Sequence, residues 1–212
     1  MNMRLLRDEK GSGAAEFALV LPLLLILIFG IIDGGRWLWT YNRAVKATQV
    51  GARVAAVTQI IPGGLAASYV GVVPPSGTAL TQGDVIPASA LGKVSCSKPS
   101  GTLTCTCAPP DGAPPCPSPL TPINAGGWTT IYNRMKFLYP TITEANIVVD
   151  YSGSGLGYAG DPDGQDISPL ISVRVKNLNF RPIALLALKS VQIVPAAATT
   201  LTAEDQLGSQ SN

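Results

Sequence analysis

The dominant pattern in the chain is one apolar run near its start. Residues 17–32 read FALVLPLLLILIFGII, sixteen positions without a charge, and extension back to Gly13 gives twenty with Glu16 as the single charge. About twenty apolar residues cross a bilayer as a helix. The run is long for a secretory signal, and Asp33-Gly34-Gly35-Arg36 follows it rather than a small-residue cleavage site. It therefore predicts a retained membrane helix. Residues 33–58 contain no proline, and Leu38, Tyr41, Val45, Thr48 and Ala52 fall on one helical face, with Arg36, Arg43, Lys46 and Arg53 opposite. This amphipathic spacing continues the helix beyond the membrane.

The middle of the chain breaks the pattern. Residues 61–127 hold 12 of the 18 prolines, and Pro74-Pro75, Pro109-Pro110 and Pro114-Pro115 exclude long regular elements. A hairpin over 94–107, turning at Lys98-Pro99-Ser100-Gly101, remains compatible with the sequence and would put Cys105 and Cys107 on one face of a strand. Helical spacing returns at Ile131, Met135 and Leu138 in 128–139, and Pro140 stops it. Residues 147–151 read as a strand. Ile171, Val173 and Val175 alternate with Ser172, Arg174 and Lys176, as a half-buried strand does. Leu178 and Phe180 resume the apolar face after a slip of phase, which predicts a bulge, and Val191, Ile193 and Thr199-Leu201 predict one further strand. The fold class expected is α+β, a long N-terminal membrane helix packed on a small antiparallel sheet.

Composition narrows the chemistry. Charged residues make up 13% of the 212 positions and the net charge is +2, with no basic stripe interleaved with aromatics, so no nucleic-acid partner is expected. Histidine is absent, which removes the commonest general base and metal ligand. A tethered hydrolase is disfavoured on that ground, and no catalytic, cofactor-binding or metal residue is assigned. Four cysteines, Cys96, Cys105, Cys107 and Cys116, lie close together. Their even count points to two disulfides and an oxidising compartment, with Cys96 and Cys116 joined to Cys105 and Cys107 in an order the sequence leaves open. Zinc is the competing role for these thiols, and CxC spacing without histidine supports it poorly. Lys/Arg counts flanking the apolar run do not orient it (Arg4, Arg7 and Lys10 before; Arg36, Arg43, Lys46 and Arg53 after). The cysteines place the C-terminal part outside the cytoplasm.

Two acidic motifs suggest cations. Asp150, Ser152 and Ser154 form DxSxS after an apolar strand, the opening of a metal-ion-dependent adhesion site, but a serine- and glycine-rich loop is the simpler explanation. Asp161, Asp163 and Asp166 resemble part of a calcium loop without its distal glutamate or flanking helices. The glycines at 153, 155 and 157 precede a strand rather than a helix, against a nucleotide loop.

The N-terminal residues carry a resemblance. Gly11, Glu16-Phe17-Ala18-Leu19, Pro22, Gly30-Ile31-Ile32-Asp33 and Arg36 resemble the TadE-like minor pseudopilins of tight-adherence (Flp-type) pilus systems. The likeness extends over 12–58 and 128–205, with Phe180-x-Pro182 in the second stretch. It implies a pilin-like fold, cleavage by a prepilin peptidase after Gly11, Ser12 as the new terminus and Glu16 as the fifth residue of the product. It also implies that Glu16, with Phe17 beside it, sets register with the α-amine of a neighbouring subunit, since a carboxylate in an apolar run is costly unless paired. The implied partners are other pilin and pseudopilin subunits, the prepilin peptidase, the inner-membrane assembly machinery and the lipid bilayer. The implied location is the bacterial inner membrane, single-pass, with a periplasmic C-terminal domain. Four segments are expected: a cleaved leader 1–11, a helix 12–60, a Pro-rich cysteine-bearing insert 61–127 and an extracytoplasmic α+β domain 128–212. The alternative function is a membrane-tethered extracytoplasmic binding module, with or without a cation.

Overall fold

A computed structural model describes residues 12–75, 77–108, 116, 119–162, 164–183 and 192–204. The chain divides into two compact units, one of residues 1–40 and 179–194, the other of 41–178 and 195–212. Helix α1 (Ser12–Ala56) contributes to both.

In the first unit, the side chains of 13–32 are almost all exposed; Leu19 is 80% and Ile31 68% accessible. Asp33 is buried where the apolar run ends, and Arg36 Nη1 donates to its Oδ1 at 2.8 Å. The Arg36 guanidinium stands 5.2 Å from the centre of the Phe180 ring, a cation–π contact. Strands β5 (Leu178–Phe180) and β6 (Gln192–Val194) pair as a two-stranded sheet.

The second unit is built on a five-stranded antiparallel sheet. Its strands are β1 (Lys93–Ser97), β2 (Thr104–Ala108), β3 (Ile147–Ser152), β4 (Leu170–Val175) and β7 (Ala197–Thr202), in the order β2-β1-β3-β4-β7. Period-two alternation sends Val94, Cys96, Val149, Tyr151, Ile171, Val173 and Val175 inward, all 1% exposed or less. Residues 41–56 of α1 and helix α2 (Ala125–Leu138) contribute to the core. Asn124 caps α2 by accepting from Gly127 N at 3.0 Å, and Trp128, Ile131 and Met135 form its buried stripe.

The sheet-facing side of α1 is shifted from the expected face, of which Thr48 and Ala52 are buried. Ala44, Ala47, Thr48, Ala52 and Ala55 are buried, whereas Tyr41 and Val45 are half-buried. Small side chains let the helix backbone approach closely. A Cβ at Gly51 would stand 2.7 Å from Met135 Sδ and 3.1 Å from Val173 Cγ1. Thr48 Oγ1 meets Thr199 Oγ1 of β7 at 3.0 Å. The two helices run antiparallel here: Arg43 Nη2 donates to Leu138 O at 2.9 Å, while Gly127 packs against the Gln59 carbonyl.

The expected 94–107 hairpin is present as β1 and β2, and because β1 pairs with both β2 and β3 it sits inside the main sheet. Two further expectations are corrected. No bulge joins β4 to β5. Asn177 takes a left-handed φ of 56° and ends the ladder, and β5 pairs in the other sheet. The single late strand is two, β6 and β7, interrupted at Pro195, which has no N–H to give a ladder. Val191 lies outside the described residues.

Candidate functional site

The N-terminal segment holds the residues singled out for processing and pairing. Gly11 lies outside the described residues, and Ser12 lies in α1. Glu16 and Phe17 follow on the exposed part of that helix, Phe17 at 63% accessibility. The helix is long and apolar enough to cross a membrane, and its most apolar window is unburied among the described residues. Exposed leucine and isoleucine side chains at roughly 25 cal/mol per Å² are strongly unfavourable in water. A lipid environment removes that cost, so the helix fits a single-pass membrane anchor.

The cysteines form two disulfides, Cys96–Cys105 and Cys107–Cys116. The first joins directly opposed residues of β1 and β2, and the second ties Cys116 back to β2. The pairing left open by the sequence is thus set by strand register. Metal ligation is no competitor for these thiols, because each sulfur is already bonded to another.

The two acidic motifs are committed to the fold. Asp150 is buried on β3, where Arg174 Nε approaches its Oδ2 to 2.5 Å and Lys93 Nζ to 3.4 Å, and Ser95 Oγ donates to Oδ1 at 2.6 Å. Burial pushes its carboxyl pKa up, but Arg174, Ser95 and Lys93 more than offset this and hold it below the ordinary value. A carboxylate held by two side-chain cations has little left to offer a metal. Ser154 instead donates to the Ser168 carbonyl. In the second motif Asp166 is buried and accepts from the backbone N–H groups of Tyr69 (2.6 Å), Gly160 (2.8 Å) and Asp161 (3.0 Å), and from Ser68 Oγ (3.0 Å). Burial opposes ionisation there too, yet the donors from Gly160, Tyr69, Ser68 and Asp161 leave the pKa lowered. Asp166 therefore clasps the 68–69 and 160–161 loops. Asp163 is outside the described residues. The glycine run serves close backbone contact: a Cβ at Gly157, whose φ is +125°, would fall on the Asp166 carbonyl.

A cavity of about 440 Å³ is lined largely by small side chains, including Gly63, Gly64, Ala66, Ala67 and Ala90. Its one strongly shifted group is Tyr69, whose hydroxyl pKa is raised by burial and by Asp166. That is a phenol held neutral, suited to neither nucleophilic nor general-base work near neutrality.

The ion network Lys93–Asp150–Arg174 was not legible in the sequence. It draws on three strands whose register brings together residues far apart in the chain. The Asp33–Arg36 pair was visible as two residues of the N-terminal pattern, though not as a pair.

The family described as TadE-like protein matches residues 11–53, from the glycine of the candidate cut through the apolar run and into the amphipathic part of α1. No curated protein and no solved structure matches the chain significantly. Residues 11–53 are thus similar to the TadE-like family, and they contain most of a helix long and apolar enough to cross a membrane.

Proposed function

We propose that this protein is a structural pseudopilin, a minor subunit or assembly factor of a tight-adherence pilus, and that it performs no catalysis. The observation that carries the proposal is the match of 11–53 to the TadE-like family, coincident with an exposed apolar helix that has Glu16 near its start. A prepilin peptidase removes residues 1–11 and frees the amine of Ser12. Segment 12–60 anchors the chain in the inner membrane. Segments 61–127 and 128–212 then lie outside the cytoplasm, where the two disulfides are stable. Glu16 and the Ser12 amine of an adjacent subunit attract strongly in a medium of low dielectric, and their pairing sets the register between helices.

Substitution of Glu16 tests the assembly role. Glu16→Gln retains size and removes charge. The variant is expected to be made, inserted and processed, but not to co-purify with other pilus subunits or to support surface pili. Glu16→Asp is expected to be intermediate, because the charge is kept and the reach is shorter. Normal pili with Glu16→Gln would reduce the glutamate to an interfacial anchor and remove the pairing from the proposal.

A further inference from the structure

Charge is segregated within the second unit. No lysine or arginine occurs in 54–92 or in 137–173; of the acidic residues there, Asp150 and Asp166 are buried and committed to the fold, whereas Asp84 is exposed. Helix α2 has the opposite character, with Arg134 and Lys136 and no acidic residue. Each region also exposes apolar side chains. On α2, Phe137 is 85% accessible, pointing away from the Ile131–Met135 stripe, with exposed Arg134 and Lys136 to either side. Lys136 lies over the Tyr132 ring at 5.4 Å. The nearby Glu144 is already met by Lys98 at 2.9 Å and by Trp128 Nε1 at 3.0 Å.

The loops around the exposed Asp84 form the second surface. Val85 and Tyr158 face each other in an antiparallel bridge, reinforced by Ala159 N donating to Asp84 O at 2.9 Å and Ile86 N to Gly157 O at 3.1 Å. Val85, Leu156 and Tyr158 are 58%, 54% and 56% exposed. The side chain of Asp84 beside them is fixed by Thr81, whose N–H and hydroxyl both donate to Oδ2 at 2.7 Å. Those two donors hold the Asp84 carboxyl below the ordinary pKa, so it is anionic at neutral pH. In the chain, Phe137 precedes β3 and Leu156 and Tyr158 follow it.

We infer that these two surfaces bind each other between copies of this chain: the Phe137 end of α2, flanked by Arg134 and Lys136, seats on the Val85–Leu156–Tyr158 patch beside Asp84 of a second copy. The charges are complementary, the apolar groups are left without cover in a single copy, and complementary charge selects partner and orientation. The contact joins two different patches, so it is heterologous, and repetition propagates in one direction as a filament or a ring rather than closing as a two-fold dimer. The inference stands on the second unit alone and holds whether or not the leader is processed.

Cysteine cross-linking of the full chain in membranes tests it. All four native cysteines are in disulfides, so an introduced cysteine supplies the free thiol. Phe137→Cys and Tyr158→Cys are placed in two differently tagged copies and oxidised together. The 137/158 pair is expected to give mixed-tag dimers severalfold above a pair of 137 with Ser100→Cys in the exposed β1–β2 turn. Lys136→Glu, added to the 137 copy, should lower the yield severalfold, and Asp84→Lys in the other copy should restore it. Equal yields from the 137/158 and 137/100 pairs would overturn the inference. So would indifference to the charge swap, or shielding of the 158 thiol without any 137/158 product, which would assign the patch to a different protein.

Discussion

Gly51 tests the packing of α1 against its own sheet. Taken as an isolated helix, Gly51→Ala should stabilise by about 1 kcal/mol, because glycine is the poorest ordinary helix former. The structure argues for the reverse sign. The added Cβ would stand 2.7 Å from Met135 Sδ, 2.9 Å from Met135 Cγ and 3.1 Å from Val173 Cγ1. Carbon contacts are optimal near ~3.5–4.0 Å. Met135 and Val173 are both fully buried, so neither can retreat into solvent. Overpacking of this kind costs roughly 1–3 kcal/mol. The balance is a destabilisation of about 1 kcal/mol, or a melting temperature lower by roughly 2–4 °C. The mechanism predicts a change of sign in a second background. Met135→Ala alone should cost about 2–5 kcal/mol as a cavity. In that background the clash partner is gone and Gly51→Ala should stabilise, a coupling of roughly 2 kcal/mol, within the range found for contacting residues. The assay is urea unfolding of the full chain in mixed micelles, followed by near-ultraviolet circular dichroism, where buried Trp128 reports the core. A stabilising Gly51→Ala in the unaltered background would refute the close approach of α1 to α2 and β4.

Further predictions concern the bonds that fix the sheet. Proteolysis under non-reducing conditions followed by mass spectrometry should recover Cys96 linked to Cys105 and Cys107 linked to Cys116; removal of either bridge should cost roughly 2–4 kcal/mol. Asp150→Asn should destabilise by about 1–3 kcal/mol, because it leaves the buried acceptor site facing Arg174 and Lys93 without its charge. Asp150 and Asp166 both have carboxyl pKa values lowered by folding. Their contribution is therefore full above the ordinary carboxylate range and is lost as pH falls through the folded values, so urea midpoints should drop on acidification below about pH 4. Asp150→Asn should show a flatter acid limb than the parent.

The long periodic elements were legible because their signals are local. The apolar run, the proline-free stretch to 58 and the Ile171–Val173–Val175 alternation correspond to α1, ending at Ala56, and to β4. The buried side of α1 was displaced because hydrophobic periodicity weights large residues. Close packing on a sheet selects small ones, here Ala44, Ala47, Gly51 and Ala55. Proline density made 61–127 look irregular, although the 93–97 and 104–108 strands fall between prolines and join the main sheet. The charge partners of Asp150 were not legible, because they lie 57 positions before it and 24 after it and meet it only once β1, β3 and β4 are in register. The TadE-like likeness of 11–53 was legible without tertiary structure, since it lies in sequence spacing and in the apolar helix that follows.

The central claim is that this chain is a pilin-type precursor. The most direct test is the N-terminal residue of the protein recovered from membranes of cells with an active prepilin peptidase, determined by sequencing and by intact mass. Cleavage after Gly11 predicts a mature chain that begins Ser12-Gly13-Ala14-Ala15-Glu16, with Gly11→Ala accumulating at full length. A mature protein that still begins at Met1 in those cells would contradict the account.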